Sequence, residues 1–200
     1  MRTLDDIRPL HFADVTVEGE VWPVFGWAVD GPDGTILVDT GMVESTPELD
    51  EEWSPAVHPW PEAGEVVAVV NTHLHFDHCG GNRRLAGLPT YVQRAELDAA
   101  VRPDYLVEWV HFTGESYVVL DGDTDVAPGV SVLFTPGHSP GHQAVVVETD
   151  EGPVVLAADV TYSMRELVAG GSPSIDRVHA LGPRRVYLSH HERPWEPDWH

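Results

Sequence analysis

The chain has 200 residues, a hydrophobic share of 42% and a formal net charge of −22. That is enough apolar material for one core spanning residues 1–200, and too acidic a surface for a partner with a phosphate backbone, so no nucleic acid is expected. All eleven basic residues are arginine, which removes Schiff-base lysine chemistry, and the single cysteine, Cys79, removes an intrachain disulfide.

The start, Met1 to Asp6, lacks the apolar core of a signal peptide, and no apolar run approaches a membrane span, so a cytoplasmic protein without a membrane partner is expected. Val15, Val17 and Val21, then Phe25, Trp27 and Val29, alternate with other residues and predict strands. Gly31-Pro32-Asp33-Gly34 is a turn into a strand over Thr35 to Asp39, where Asp39 either braces a loop or touches a metal. Residues 42–64 carry four prolines and predict a loop with a helical turn at Glu48 to Trp53, anchored by Trp53 and Trp60. The acidic run Glu48, Asp50, Glu51 and Glu52 reads as a solvated face.

Val66 to Val70 predicts a buried strand, and it runs into Asn71-Thr72-His73-Leu74-His75-Phe76-Asp77-His78-Cys79-Gly80-Gly81-Asn82. Ligand-type side chains this close in sequence converge at little entropic cost. Cys79 reads as a small buried residue under that loop. A helical stretch at Asn82 to Leu85, a strand at Thr90 to Gln93 and a helix at Arg94 to Val101 follow. The aromatic-rich run Tyr105 to Phe112 is either helix core or a flap over a site. Strands are predicted at Tyr117 to Leu120, Val130 to Thr135, Gln143 to Thr149 and Pro153 to Ala158, helices at Thr161 to Val168 and Ile175 to Leu181, and a last strand at Arg185 to Leu188.

Four of these strands end in a ligand-type residue: before His73, before His138, at Asp159 and before His190. In a layered α/β domain, strand ends on one edge make a common cleft. His73, His75, His78, His138 and His190, with Asp77 and Asp159, are too many ligands for one tetrahedral zinc and suit two ions sharing a carboxylate. Two divalent ions, zinc or else Mn, Fe or Co, can generate a hydroxide and polarise a carbonyl. His142 reads as a packing group beside the ligands; His11, His58, His111, His179 and His200 read as ordinary polar histidines.

His73-Leu74-His75-Phe76-Asp77-His78 resembles the HxHxDH motif of the metallo-β-lactamase superfold. The later Thr135-Pro136-Gly137-His138-Ser139-Pro140-Gly141-His142, Asp159 and Ser189-His190 follow that family's order. The resemblance implies an α/β fold, a four-layer αββα sandwich of two mixed sheets with outer helices and a dinuclear site on one edge. Within the superfold the chain resembles the N-acyl homoserine lactonases: Phe76 lies inside the motif, Asp159-Val160-Thr161-Tyr162 puts a tyrosine three after the aspartate, and the run from Leu120 through Gly141-His142-Gln143 reads like theirs. That likeness implies a small-molecule lactone as substrate, opened by a metal-bridging hydroxide, and leaves a homodimer open. It assigns His73, His75 and His138 to one ion, Asp77, His78 and His190 to the other, and Asp159 to both. Asp77 or Asp159 passes the proton to the leaving oxygen, Tyr162 serves the substrate carbonyl or alkoxide unless it is only a first-turn helix residue, and Phe76 packs near the acyl chain. The chain departs from the family at His191, where an acid is usual, and in a shorter stretch before His73. A glyoxalase II-like thioesterase shares the ligands, but the absence of lysine leaves its anionic substrate without an anchor.

Overall fold

Apolar runs set the architecture. In a computed structural model, residues 1–197 are described; His200 lies outside them. The strands are β1 (Ile7–Val17), β2 (Glu20–Gly31), β3 (Gly34–Val38), β4 (Ala56–Val57), β5 (Val66–Val70), β6 (Thr90–Gln93), β7 (Tyr117–Leu120), β8 (Thr124–Ala127), β9 (Val130–Phe134), β10 (Gln143–Thr149), β11 (Gly152–Ala158) and β12 (Arg185–Leu188). The helices are α1 (Pro47–Trp53), α2 (Phe76–Cys79), α3 (Arg94–Ala99), α4 (Val107–Val110), α5 (Met164–Ala169) and α6 (Pro173–Ala180).

Seven strands form one mixed sheet, in the order β4-β1-β2-β3-β5-β6-β7, and five form the other, β12-β11-β10-β9-β8. The first sheet is antiparallel from β4 to β3 and parallel from β3 to β7; in the second only β11 and β12 are parallel. Trp27, Val29, Ile36, Val38 and Val70 of the first sheet pack on Val132, Val145, Val147, Val154 and Leu156 of the second. β10 shows why its valines run without interruption: Val145 and Val147 face the other sheet, while Ala144 and Val146 face Leu167 of α5 and Ile175 and Val178 of α6. A strand covered on both faces needs no polar alternation. Leu49, Met42, Ala99, Tyr105 and Trp109 cover the outer face of the first sheet, giving helix, sheet, sheet and helix layers.

Polar caps decide where the helices start. Thr46 Oγ1 accepts from Leu49 N ahead of Pro47, and Ser172 Oγ accepts from Ile175 N ahead of Pro173. Ser163 Oγ accepts from Glu166 N, so α5 begins at Met164 and not at Thr161. Tyr162 therefore precedes the helix, which corrects its reading as a first-turn residue. Strands β4 and β8 were not expected: both are short edge strands with few apolar residues. Tyr105, Trp109 and Val110 are buried, so the run from Tyr105 to Phe112 supplies core. Among the described residues no helix is long and apolar enough to cross a membrane.

The loop after β9 lies directly on α3. A Cβ added at Gly141 would sit 2.6 Å from Glu96 Cα and would also meet Glu96 N and Cβ, a backbone contact that no rotamer change relieves. We expect Gly141→Ala to lower unfolding free energy by about 1–3 kcal/mol through overpacking. Denaturant titration measures this, and an unchanged midpoint would show that α3 yields freely.

Candidate metal centre

Each polar residue of the cluster follows a strand: His73 after β5, His138 after β9, Asp159 after β11 and His190 after β12. β5 belongs to the first sheet and the other three to the second, so the common edge anticipated from the sequence is one end of the seam between two sheets. α2 is a single turn that carries Asp77 and His78 back beneath His73.

The seven residues converge. His138 Nε2 lies 3.1 Å from His73 Nε2 and 3.0 Å from His75 Nδ1. A tetrahedral zinc with bonds of 2.0–2.1 Å separates its ligand nitrogens by about 3.3 Å, so this spacing is that of a ligand shell. Asp159 Oδ2 lies 3.3 Å from His190 Nε2, 3.4 Å from His78 Nε2, 3.7 Å from His138 Nε2 and 3.9 Å from His73 Nε2. Asp77 Oδ2 is 3.7 Å from both His78 Nε2 and His190 Nε2. Three groupings result that could hold a metal: His73, His75 and His138; Asp77, His78 and His190; and His73, His78 and Asp159. The third overlaps both others in space, so one carboxylate faces two ligand sets.

The far nitrogens are committed elsewhere. His78 Nδ1 donates to Asp39 Oδ2 at 2.8 Å and His190 Nδ1 donates to the Pro23 carbonyl at 2.8 Å. Each bond fixes the tautomer and turns Nε2 toward the cluster. Asp39 also accepts from Thr72 N and Thr72 Oγ1, both at 2.7 Å, so it braces the loop. Buried His78 Nε2 and Asp159 Oδ1 have no hydrogen-bond partner in the protein. Such orphaned polar atoms cost free energy unless another group binds them. The donor set thus fits divalent metal ions on the chain's own geometry.

Charge divides the cluster. Burial pushes the His73 and His75 imidazoles down, and it brings His138 to about 4. These three are neutral at physiological pH and free to ligate. Burial is the largest single influence on His78 and His190 and opposes their protonation, but the neighbouring carboxylates together outweigh it and raise both: Asp159, Asp77 and Asp39 at His78, and Asp159 and Asp77 at His190. The same pairing holds Asp159 well below the usual carboxylate range against its own burial. His142, brought to about 3 by burial, donates from Nδ1 to the Thr135 carbonyl and belongs to none of the metal-competent groupings. Cys79 is buried, its thiol pushed up by burial, with Sγ 3.3 Å from the Leu74 carbonyl.

Tyr162 lies at the rim, with its hydroxyl 2.9 Å from His138 Nδ1. His191 Nε2 donates to the Tyr162 carbonyl at 2.9 Å, and the Trp22 ring lies 5.5 Å from Tyr162 and 5.7 Å from His190. Trp22, Tyr162, Met164, His190 and His191 line a cavity of about 300 Å³. Phe76 packs on Trp53 at 5.7 Å, on the α1 side of the cluster. Sequence reasoning missed Trp22, whose strand position gives no hint of the site, and Glu96, a helical glutamate like many others. Glu96 is fully buried and accepts from Leu74 N, Tyr105 Oη, Ser139 Oγ and Gly141 N.

Known proteins resemble the chain in sequence and in fold. The N-acyl homoserine lactonase of Bacillus cereus is 38% identical over 165 residues, covering 70% of this chain and 65% of that protein. The N-acyl homoserine lactonase AiiA of Bacillus thuringiensis subsp. kurstaki is 37% identical over 164 residues, with the same coverage. The match thus spans less than two thirds of the length of these relatives. A crystal structure of a B. thuringiensis AiiA point mutant with N-decanoyl-L-homoserine at its active site superposes with a TM-score of 0.74 at 28% identity, covering 92% of this chain and 91% of that one. An N-acyl homoserine lactone hydrolase with N-hexanoyl-L-homoserine at its catalytic metal centre gives 0.74 at 29% identity, over the same shares. The profile of the metallo-beta-lactamase superfamily matches residues 19–196, and the chain belongs to that superfamily.

Proposed function

We propose that the chain is a dinuclear metal-dependent hydrolase that opens the lactone ring of an N-acyl homoserine lactone or a related lactone. The observation that carries this is the Tyr162 hydroxyl, set beside His138 at the edge of a seven-residue ligand cluster. The likeness to lactonases at 37–38% identity supports it.

His73, His75 and His138 would hold one ion, Asp77, His78 and His190 the other, with Asp159 shared between them. When bound, such a pair supplies ionised water near neutral pH and an electrophile for a carbonyl oxygen. The chain's own groups do the rest. With His138 Nε2 ligating, the one proton of the neutral ring sits on Nδ1 and donates to the Tyr162 oxygen. The Tyr162 proton is then free for another acceptor, and the substrate oxygen on which negative charge develops is such an acceptor. Burial pushes the Tyr162 phenol up, so it keeps its proton at working pH. Asp77 or Asp159 can carry the proton that the leaving alkoxide needs. Trp22 walls the cavity beside Tyr162, and Phe76 packed on Trp53 offers an apolar surface for an acyl chain on the α1 side of the cluster.

Three outcomes are expected. Tyr162→Phe lowers lactone kcat by about ten- to a thousand-fold with metal content unchanged, because one donor to the developing charge is lost. Unchanged turnover removes Tyr162 from the reaction, and cleavage of a thioester but no lactone in a substrate panel overturns the lactone assignment. Asp159→Asn loses metal or nearly all turnover; full activity with two ions per chain contradicts a shared carboxylate. Zinc affinity falls as pH drops from about 8 to about 6, because His78 and His190, whose pKa values are raised, must release protons to ligate. Competition titration against a chelator of known pH dependence measures this, and an affinity independent of pH overturns the raised pKa values of those two histidines.

A further inference from the structure

A second cluster lies on β1 and at the end of β4, and shares no residue with the seven above. His11 Nε2 is 2.8 Å from Asp14 Oδ1, and His58 Nε2 is 3.0 Å from Asp14 Oδ2. The two imidazole rings meet edge to face at 4.5 Å. One ligand atom from each of the three residues lies within 4.8 Å of the others.

The backbone builds this grouping. Residues three apart on a regular strand point to opposite faces. The register of β1 against β2 slips between His11 and Ala13, and the extra residue brings His11 and Asp14 out on one side. β4 pairs Val57 with Ala13 and Ala56 with Asp14, and His58 N donates to the Phe12 carbonyl at 2.8 Å. His58 is thereby delivered to Asp14 across 44 residues of chain. The side chains are 40%, 27% and 35% exposed for His11, Asp14 and His58, so an ion can enter from solvent.

We propose that His11, Asp14 and His58 form a mononuclear site for a divalent ion of the zinc type. Two imidazoles and a carboxylate are a known three-ligand set for zinc, with water in the fourth position. Ligand nitrogens and oxygens in such a shell lie about 3.3 Å apart, so separations of 2.8 and 3.0 Å need only small outward shifts. A net charge of −22 raises the local concentration of cations at the surface. The ion would clamp β4, and the proline-rich loop around it, to β1. That loop follows Trp53, which packs on Phe76, so the clamp acts on the frame of the site and not on its chemistry.

The test is zinc content after equilibrium dialysis at micromolar free zinc, read by elemental analysis on protein checked by circular dichroism. Wild type is expected to hold one zinc per chain more than His58→Ala and more than Asp14→Asn, which preserves side-chain shape. His111→Ala, at an exposed histidine elsewhere, is expected to match wild type. Added zinc should raise Tm further in wild type than in either site variant. Equal zinc content in wild type and Asp14→Asn overturns the site and leaves a hydrogen-bonded His-Asp-His group. A loss shared by His111→Ala overturns it as well, as non-specific surface binding. Because the count is a difference of one, it holds or fails separately from the dinuclear reading.

Discussion

The Glu96 carboxylate, closed off from water, holds the candidate ligand loops of both sheets in one place. Its Oε1 accepts from Leu74 N at 3.0 Å and Tyr105 Oη at 2.8 Å; its Oε2 accepts from Ser139 Oγ at 2.7 Å and Gly141 N at 2.9 Å. Leu74 lies between His73 and His75, and Ser139 follows His138. One residue of α3 therefore fixes the three imidazoles that converge at 3.0–3.1 Å. A buried charge is tolerated when several charge-assisted hydrogen bonds replace its hydration, and here there are four. Asp39 does the same for the other ligand set, joining Thr72 to His78. Neither carboxylate belongs to a metal-competent grouping, yet each sets the distance between residues that do.

The backbone takes up strain where these braces act. Asp39 at φ 58° and Ala158 at φ 45° are in the left-handed region without being glycine. Both stand at the ends of strands, Asp39 just past β3 and Ala158 just before Asp159. Such conformations persist where the surroundings over-determine them. The surroundings here are fully buried packing around both residues, with Asp39 N bonded to the Val70 carbonyl and the Ala158 carbonyl accepting from Ser189 N. The bend at Ala158 turns the chain so that Asp159 Oδ2 meets nitrogens of both ligand sets.

How far the sequence exposed this depends on whether a feature is local. Four strands, β5, β9, β11 and β12, are apolar runs, and each is followed by a candidate ligand at the same end of the seam, so strands and candidate ligands could be read together. β8, with the sequence Thr124-Asp125-Val126-Ala127, has no such run and owes its existence to pairing with β9. Glu96 could not be singled out, because its role comes from partners 9 to 45 residues away. Trp22 and His191 are similar: one meets Tyr162 across the seam, the other holds the Tyr162 carbonyl, and neither contact leaves a mark in spacing. The His191 ring supplies a donor to that carbonyl, which an ionised acid in its place could not.

The cluster straddles two sheets, so its dimensions depend on how the sheets are joined, and they are joined by backbone. Gln143 N donates to the Thr72 carbonyl at 2.8 Å, and Phe25 N donates to the Ser189 carbonyl at 3.0 Å. Thr72 precedes His73 and Ser189 precedes His190. The Gln143 amide adds a second tie, donating to the Asn71 carbonyl at 2.8 Å and accepting from Gln93 Nε2 at 2.8 Å. A ligand set held by side-chain packing alone would drift as side chains hop between rotamers. This one is registered by main-chain bonds next to the ligands themselves, with apolar packing of the seam behind them. Opening the sheets and dispersing the candidate ligands are thus one event, so any ions bound across the seam would oppose unfolding by their own binding free energy.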